Sequence, residues 1–122
     1  MTLQELYEKI GGDYEKGIAV LRMEKLMDKH IRKFPTSGVV DRLIAAGKTM
    51  DPTELFESAH AVKGVCANLG LMGLFNAASA VTEEFRPSNE RKLSDEEVKE
   101  KIDQIEALYK HTVDGINEYA AE

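Results

Sequence analysis

DPTELFESAHAVKGVCANLG, residues 51–70, reads as one helix with both of its ends marked. Asp51 is placed to cap the N-terminus, with Pro52 at the first helical position and Glu54 three residues after the cap, while Gly70 stands where helices most often stop. Between those ends Leu55, Ala59, Val62, Cys66 and Leu69 recur at alternating steps of four and three, which gathers them into one apolar stripe facing a core.

The stripe fixes every other direction on the helix. At about 100° per residue, His60 points roughly 140° away from the stripe centre, into solvent. Phe56, Lys63 and Ala67 fall roughly 80 to 120° off the stripe and Gly64 about 180° off, so all four surround His60 on its own face. A glycine in mid-helix costs about 1 kcal/mol relative to Ala, and here it clears space one turn beyond the histidine. Most helical histidines are core or neutral surface residues. The outward angle, the cation at Lys63 and the gap at Gly64 favour a reactive one. An imidazole is a competent nucleophile near neutral pH, and a phosphoryl group placed on it needs positive charge nearby and room for a partner.

His60, Lys63, Gly64, Leu69 and Gly70 together resemble the His-x-x-Lys-Gly motif, with its short run to an apolar residue and Gly, of the histidine-containing phosphotransfer (HPt) domains of two-component phosphorelays. Ala67 and Asn68 are similar to that family's run into the helix end, and the likeness extends as a pattern over roughly residues 13 to 120. The resemblance implies that His60 takes a phosphoryl group from a receiver-domain aspartate and passes it to another receiver. It implies that Lys63 steadies the phosphoryl oxygens and that Gly64 gives access. It also implies partners of two kinds, response-regulator receiver domains and a hybrid histidine kinase. Phe56, Ala67 and Asn68 are the partner-binding positions, although Asn68, about 80° around the helix from His60, is better placed for a role at the helix end. No kinase activity of its own and no cofactor are expected, with magnesium belonging to the receiver's acidic pocket. A rival of another class is a helical adaptor whose histidine is never phosphorylated.

The remaining sequence bounds these readings. A chain of 122 residues with 43% apolar and 31% charged residues predicts one globular domain, short for a kinase with its own nucleotide site. No apolar run approaches the ~20 residues needed to span a bilayer, no leader pattern is seen, and the single Cys66 has no partner for a disulfide, so a cytoplasmic monomer is expected. A net charge of −6 disfavours nucleic acid and anionic membranes as partners.

Working outward from residues 51–70, helical patterns account for the whole chain. Thr2 with Glu5 predicts a capping box for a short helix through Ile10, and Gly11-Gly12 ends it. Asp13 begins a second short helix whose Ile18 and Leu21 are expected to plug one end of a bundle. Met23, Met27, His30, Ile31 and Phe34, then Val40, Leu43 and Ile44 after Pro35, predict one interrupted bundle helix over residues 23–47. Leu71, Leu74, Ala78, Val81 and Phe85 give a helix ending near Arg86-Pro87, with a loop over 87–93. Ser94 with Glu97 opens a last helix in which Val98, Ile102, Ile105, Tyr109, Thr112, Ile116 and Tyr119 carry a seven-residue pattern, about 39 Å long over 26 residues. The fold class is therefore all-α, an antiparallel up-down four-helix bundle over residues 23–120 with a short N-terminal cap over 1–22.

Other chemistry finds little support. His30 is expected on the apolar face of its helix as a packed residue, His111 on the surface, and Glu83-Glu84 on a solvated face. No ligand spacing for a metal occurs, and Gly11-Gly12 lacks the Lys and strand of a phosphate loop.

Overall fold

A computed structural model describes residues 1–122 and contains seven α-helices and no strand. They are α1 (Leu3–Ile10), α2 (Tyr14–Leu21), α3 (Glu24–Lys33), α4 (Val39–Thr49), α5 (Pro52–Leu69), α6 (Met72–Phe85) and α7 (Asp95–Ala120), with a 3₁₀ turn at Phe34–Thr36. Helices α4 to α7 form a closed ring in which α4 packs on α5, α5 on α6, α6 on α7 and α7 on α4. This is the antiparallel four-helix bundle that short connections require. The three shorter helices cover it from outside. All 23 buried apolar residues belong to one cluster, to which every α-helix except α2 contributes; α2 adds partly buried Ile18 and Leu21 at its edge.

The helix starts behave as their sequences dictate. The Thr2 and Ser94 hydroxyls accept the backbone N–H of Glu5 and Glu97, and the carboxylates of those glutamates accept the backbone N–H of Thr2 and Ser94, so both capping boxes are formed. Asp13 and Asp51 cap α2 and α5 through their carboxylates. Glu54 does not complete a box at α5. Its carboxylate instead takes the Nε–H of Arg42 at 2.6 Å, which ties α4 to α5 and holds the Glu54 carboxyl below the usual carboxylate range.

Residues 23–47 are two helices, not one interrupted rod. After Lys33 the chain tightens into the 3₁₀ turn around Pro35, and Gly38 at φ 74 turns it again, so that only α4 joins the ring while α3 rests on α2 and α7. Met23, expected in the stripe, caps α3 and is exposed, and His30 also faces solvent. The face of α3 that is buried consists of Met27 and Ile31. Ile18 and Leu21 are only partly buried on α2, whose one fully buried residue is Gly17. Glu84 likewise departs from the expected solvated face. It is buried and accepts the backbone N–H groups of Lys92 and Leu93 at 2.9 and 2.7 Å, fastening the loop before α7.

The N-terminal cap is anchored where α5 ends. Leu71 N–H donates to the Cys66 carbonyl at 2.9 Å and Gly70 N–H to that of Ala67, a Schellman closure. The Leu69 carbonyl accepts the buried Tyr7 hydroxyl at 2.7 Å, and the Gly70 carbonyl accepts the Asp13 N–H at 2.7 Å. Gly70 holds φ 71, and a Cβ there would lie 2.2 Å from the Asp13 carbonyl oxygen. Gly17 is the matching small residue on α2, with room for no more than hydrogen between Leu69 and Met27.

Two outcomes test this account. Gly70→Ala is expected to lower the unfolding free energy by more than about 2 kcal/mol, since left-handed strain alone costs about 1–2 kcal/mol and the methyl group also strikes backbone. An unchanged urea midpoint would mean that α2 does not press on this turn. The second concerns alkali. Burial pushes the Cys66 thiol up to about 12, and burial followed by the neighbouring Tyr14 raises the Tyr7 hydroxyl as well. Both groups are held neutral by folding, so their contribution is complete below the unfolded thiol value of about 8.5 and is lost as pH rises through the folded values. Urea midpoints should therefore fall between pH 8 and pH 11, and less so in Cys66→Ala.

Candidate functional site

The central helix buries Leu55, Ser58, Ala59, Val62, Cys66 and Leu69. Ser58 fits that face because its hydroxyl donates back to the Glu54 carbonyl at 2.6 Å. With the stripe inside, His60 and Gly64 are exposed, while Phe56, Lys63 and Ala67 stand half-buried at the edges of the same face.

The ring of Phe56 lies against that of His60, with centroids 5.8 Å apart and planes 18° from parallel. One turn separates the two residues, so the stack leaves one side of the imidazole covered by an apolar surface. On the other flank Gly64 leaves open space: a Cβ built there meets no atom of a neighbouring element within 4 Å. Gly64 is thus not a packing residue.

Helix α6 supplies the second wall, and none of its contributions was singled out from the sequence. The Lys63 ammonium sits 5.8 Å from the centre of the Phe75 ring, and the Arg86 guanidinium 5.5 Å from that of Phe56. Arg86 is oriented by Glu83, which accepts its Nη2–H at 2.8 Å and its Nε–H at 3.1 Å. Hydrogen bonding to Arg86 is the main reason the Glu83 carboxyl lies below its ordinary range, with Lys63 adding a smaller push. Reversal of the chain at Gly70-Leu71 sets Arg86 opposite Phe56 and Phe75 opposite Lys63. Counting back along an antiparallel hairpin is the signal that finds them.

Asn68 is exposed and belongs to a different place. It lines a cleft of about 270 Å³ between α5 and the N-terminal helices, together with Val65, His30 and Lys33. It takes no part in closing α5, whose last carbonyls are occupied by Tyr7, Asp13, Gly70 and Leu71. His111, on the surface as expected, meets the Lys9 carbonyl at 3.2 Å.

An outward histidine, stacked on one side and open on the other, thus stands on the outer face of a helical bundle, with Lys63 and Arg86 over the neighbouring rings of Phe75 and Phe56. The family follows from comparison. A model of the Hpt domain matches residues 22–113, most of the chain, and the chain belongs to the Hpt domain family. Hpt domains are phosphotransfer carriers of two-component signalling, not kinases, and interact with receiver domains and kinases in phosphorelays. No curated protein and no solved structure matches the chain significantly.

The open space at Gly64 makes a direct structural prediction. Gly64→Ala should raise stability by up to about 1 kcal/mol, and Gly64→Leu should keep its helical circular dichroism with a melting temperature at or above that of the native chain. A marked drop in melting temperature for either variant would show that the outer face of α5 is packed.

Proposed function

We propose that the chain is a phosphorelay intermediate in which His60 accepts a phosphoryl group from a receiver-domain aspartate and returns it to the aspartate of another receiver. The observation that carries this reading is the accessibility of His60 beside the unfilled turn at Gly64, within the segment matched by the family. In the forward step the lone pair of the unprotonated ring nitrogen attacks phosphorus. The bond from phosphorus to the aspartyl oxygen breaks, its electron pair stays on the carboxylate, and the proton on the other ring nitrogen is released to water. The reverse step regenerates the imidazole, so the group moves without net consumption of the carrier.

The chain's own groups divide the work. Stacking on Phe56 holds the imidazole edge outward, in keeping with the need to preorganise a nucleophile. Lys63 is the cation beside the incoming phosphoryl oxygens, and Arg86, half-buried over Phe56, adds positive charge on the same side. Phe56 and Ala67 form part of the apolar rim on which a receiver closes. Asn68, across the cleft edge, belongs to the outer part of that footprint. We assign no cofactor to the carrier and place magnesium in the receiver. We also read the carrier as a single-domain cytoplasmic monomer; no helix is long and apolar enough to cross a membrane.

Incubation with a phosphorylated receiver should place an acid-labile, base-stable phosphate on this chain, and His60→Gln should fold normally and take up none. Labelling of that variant at the native level would remove His60 from the reaction, and absence of labelling in the native chain would leave an adaptor as the better reading. Lys63→Ala should still be labelled but roughly 10- to 100-fold more slowly, as loss of one charge-assisted contact worth about 1.5–3 kcal/mol implies.

A further inference from the structure

Positive charge in this acidic chain is concentrated in one short segment. Residues 22–33 hold Arg22, Lys25, Lys29, Arg32 and Lys33 against Glu24 and Asp28, a net +3, whereas the whole chain carries −6. On α3 the lysines follow one another at four-residue steps, so Lys25, Lys29 and Lys33 form a single row on the side opposite buried Met27 and Ile31. All three are exposed.

Nothing within the molecule neutralises this row. Both acidic residues of α3 are engaged elsewhere: Asp28 accepts from Arg32 and from the Tyr119 hydroxyl, and Glu24 accepts the Tyr14 hydroxyl at 2.7 Å. Like charges one turn apart weaken a helix, so the row works against the stability of α3. Just before and within the row in sequence come three of the four large apolar side chains that the chain leaves in solvent, Val20, Met23 and Leu26 at 51%, 55% and 37% exposure. An apolar centre with a charged margin is the anatomy of a protein interface.

Lys33 brings the row to a cleft shared with α5, the helix that carries His60. Val65 and Asn68 of α5 form one wall of the 270 Å³ cleft, and His30 and Lys33 of α3 the other. Asn68 is two turns beyond His60, about 12 Å along the axis. An interface of ordinary size, about 800 Å² on each partner, therefore reaches from the imidazole across the cleft to α3.

We propose that the α3 lysine row, with Val20, Met23 and Leu26, selects the receiver: it docks receivers whose contacting surface is acidic around an apolar centre and turns away basic ones. This rests on the relay function above and adds to it the determinant of partner choice. Charge of this kind acts on encounter and register, so it governs the second-order rate of transfer and its salt dependence and leaves the rate within the formed complex unchanged.

The test uses the full chain and a panel of phosphorylated receiver domains whose surfaces range from acidic to basic, at low and high salt. The native chain should show a transfer kcat/KM at least tenfold higher for acidic receivers at low salt, and the preference should shrink as salt screens it. The triple variant K25E/K29E/K33E should reverse the ranking, and the Arg row K25R/K29R/K33R should keep it. Rates at saturating receiver, and labelling of His60 by phosphoramidate, should be the same in all three proteins. An unchanged ranking or salt slope in the Glu variant overturns the proposal, as does a loss that is equal for every receiver. Should the Glu variant lose helicity, K25Q/K29Q/K33Q removes the like-charge repulsion and must abolish the preference without reversing it. If no phosphorylated receiver labels the native chain, the relay reading falls by itself. Calorimetric binding of the unphosphorylated receivers to the same variants then decides the docking surface separately.

Discussion

The burial of one stripe of α5 between α4 and α6 is the constraint on which the site depends. Leu55, Ala59, Val62 and Cys66 are completely removed from solvent. A helix turns by about 100° per residue, so seating these four leaves His60 no direction except outward. Rotation of α5 to tuck the imidazole away would expose the stripe, and each large apolar side chain returned to water costs about 1.5–3 kcal/mol. The imidazole is thus oriented by packing on the far side of its helix.

Both ends of α5 are then fixed from other elements. Arg42 on α4 bridges to Glu54 and Glu57 at the start. At the finish Tyr7 and Asp13 satisfy carbonyls that a helix end leaves open, and Gly70 and Gly17 let the backbones approach closely enough to do so. The N-terminal helices are consequently part of what holds the histidine-bearing helix in place. They also carry the exposed lysine row of α3, whose Lys33 lines the cleft beside Val65 and Asn68 of α5.

Near the histidine, charge is arranged with little redundancy. Arg86 is held by Glu83 and spread over Phe56, which keeps it close without placing it on the imidazole. Lys63, half-buried beside Phe75, makes no ion pair and remains free to meet an anion. The Phe56 ring gives the imidazole a flat apolar neighbour in place of a hydrogen-bonding one, so the stack limits its orientation while its nitrogens stay available.

Several misjudged residues share one cause. Glu54 looked like half of a capping box, but a guanidinium from another helix offers its carboxylate a stronger partner than a backbone amide. Glu84 follows Glu83 in a polar pair, yet a loop nine residues ahead folds back and brings two N–H groups to it. His30 lies about 80° around α3 from the mean direction of Met27 and Ile31, and α3, standing outside the ring, buries only those two residues. Each of these depends on what stands across a gap between elements.

By itself the sequence determined both ends of α5 and its inward stripe, and through them the outward direction of His60, the emptiness beside Gly64 and the stop at Gly70. Those follow from local rules: caps act within four residues, and the 3.6-residue repeat assigns every side chain a direction relative to its own helix. Only the tertiary structure decided that Phe75 and Arg86 complete the site, that Asn68 faces a cleft instead of the histidine, and that α3 stands outside the ring with its lysines unpaired. Those placements depend on how separate helices register and pack, and the periodicity of one helix carries no information about its neighbour's rotation.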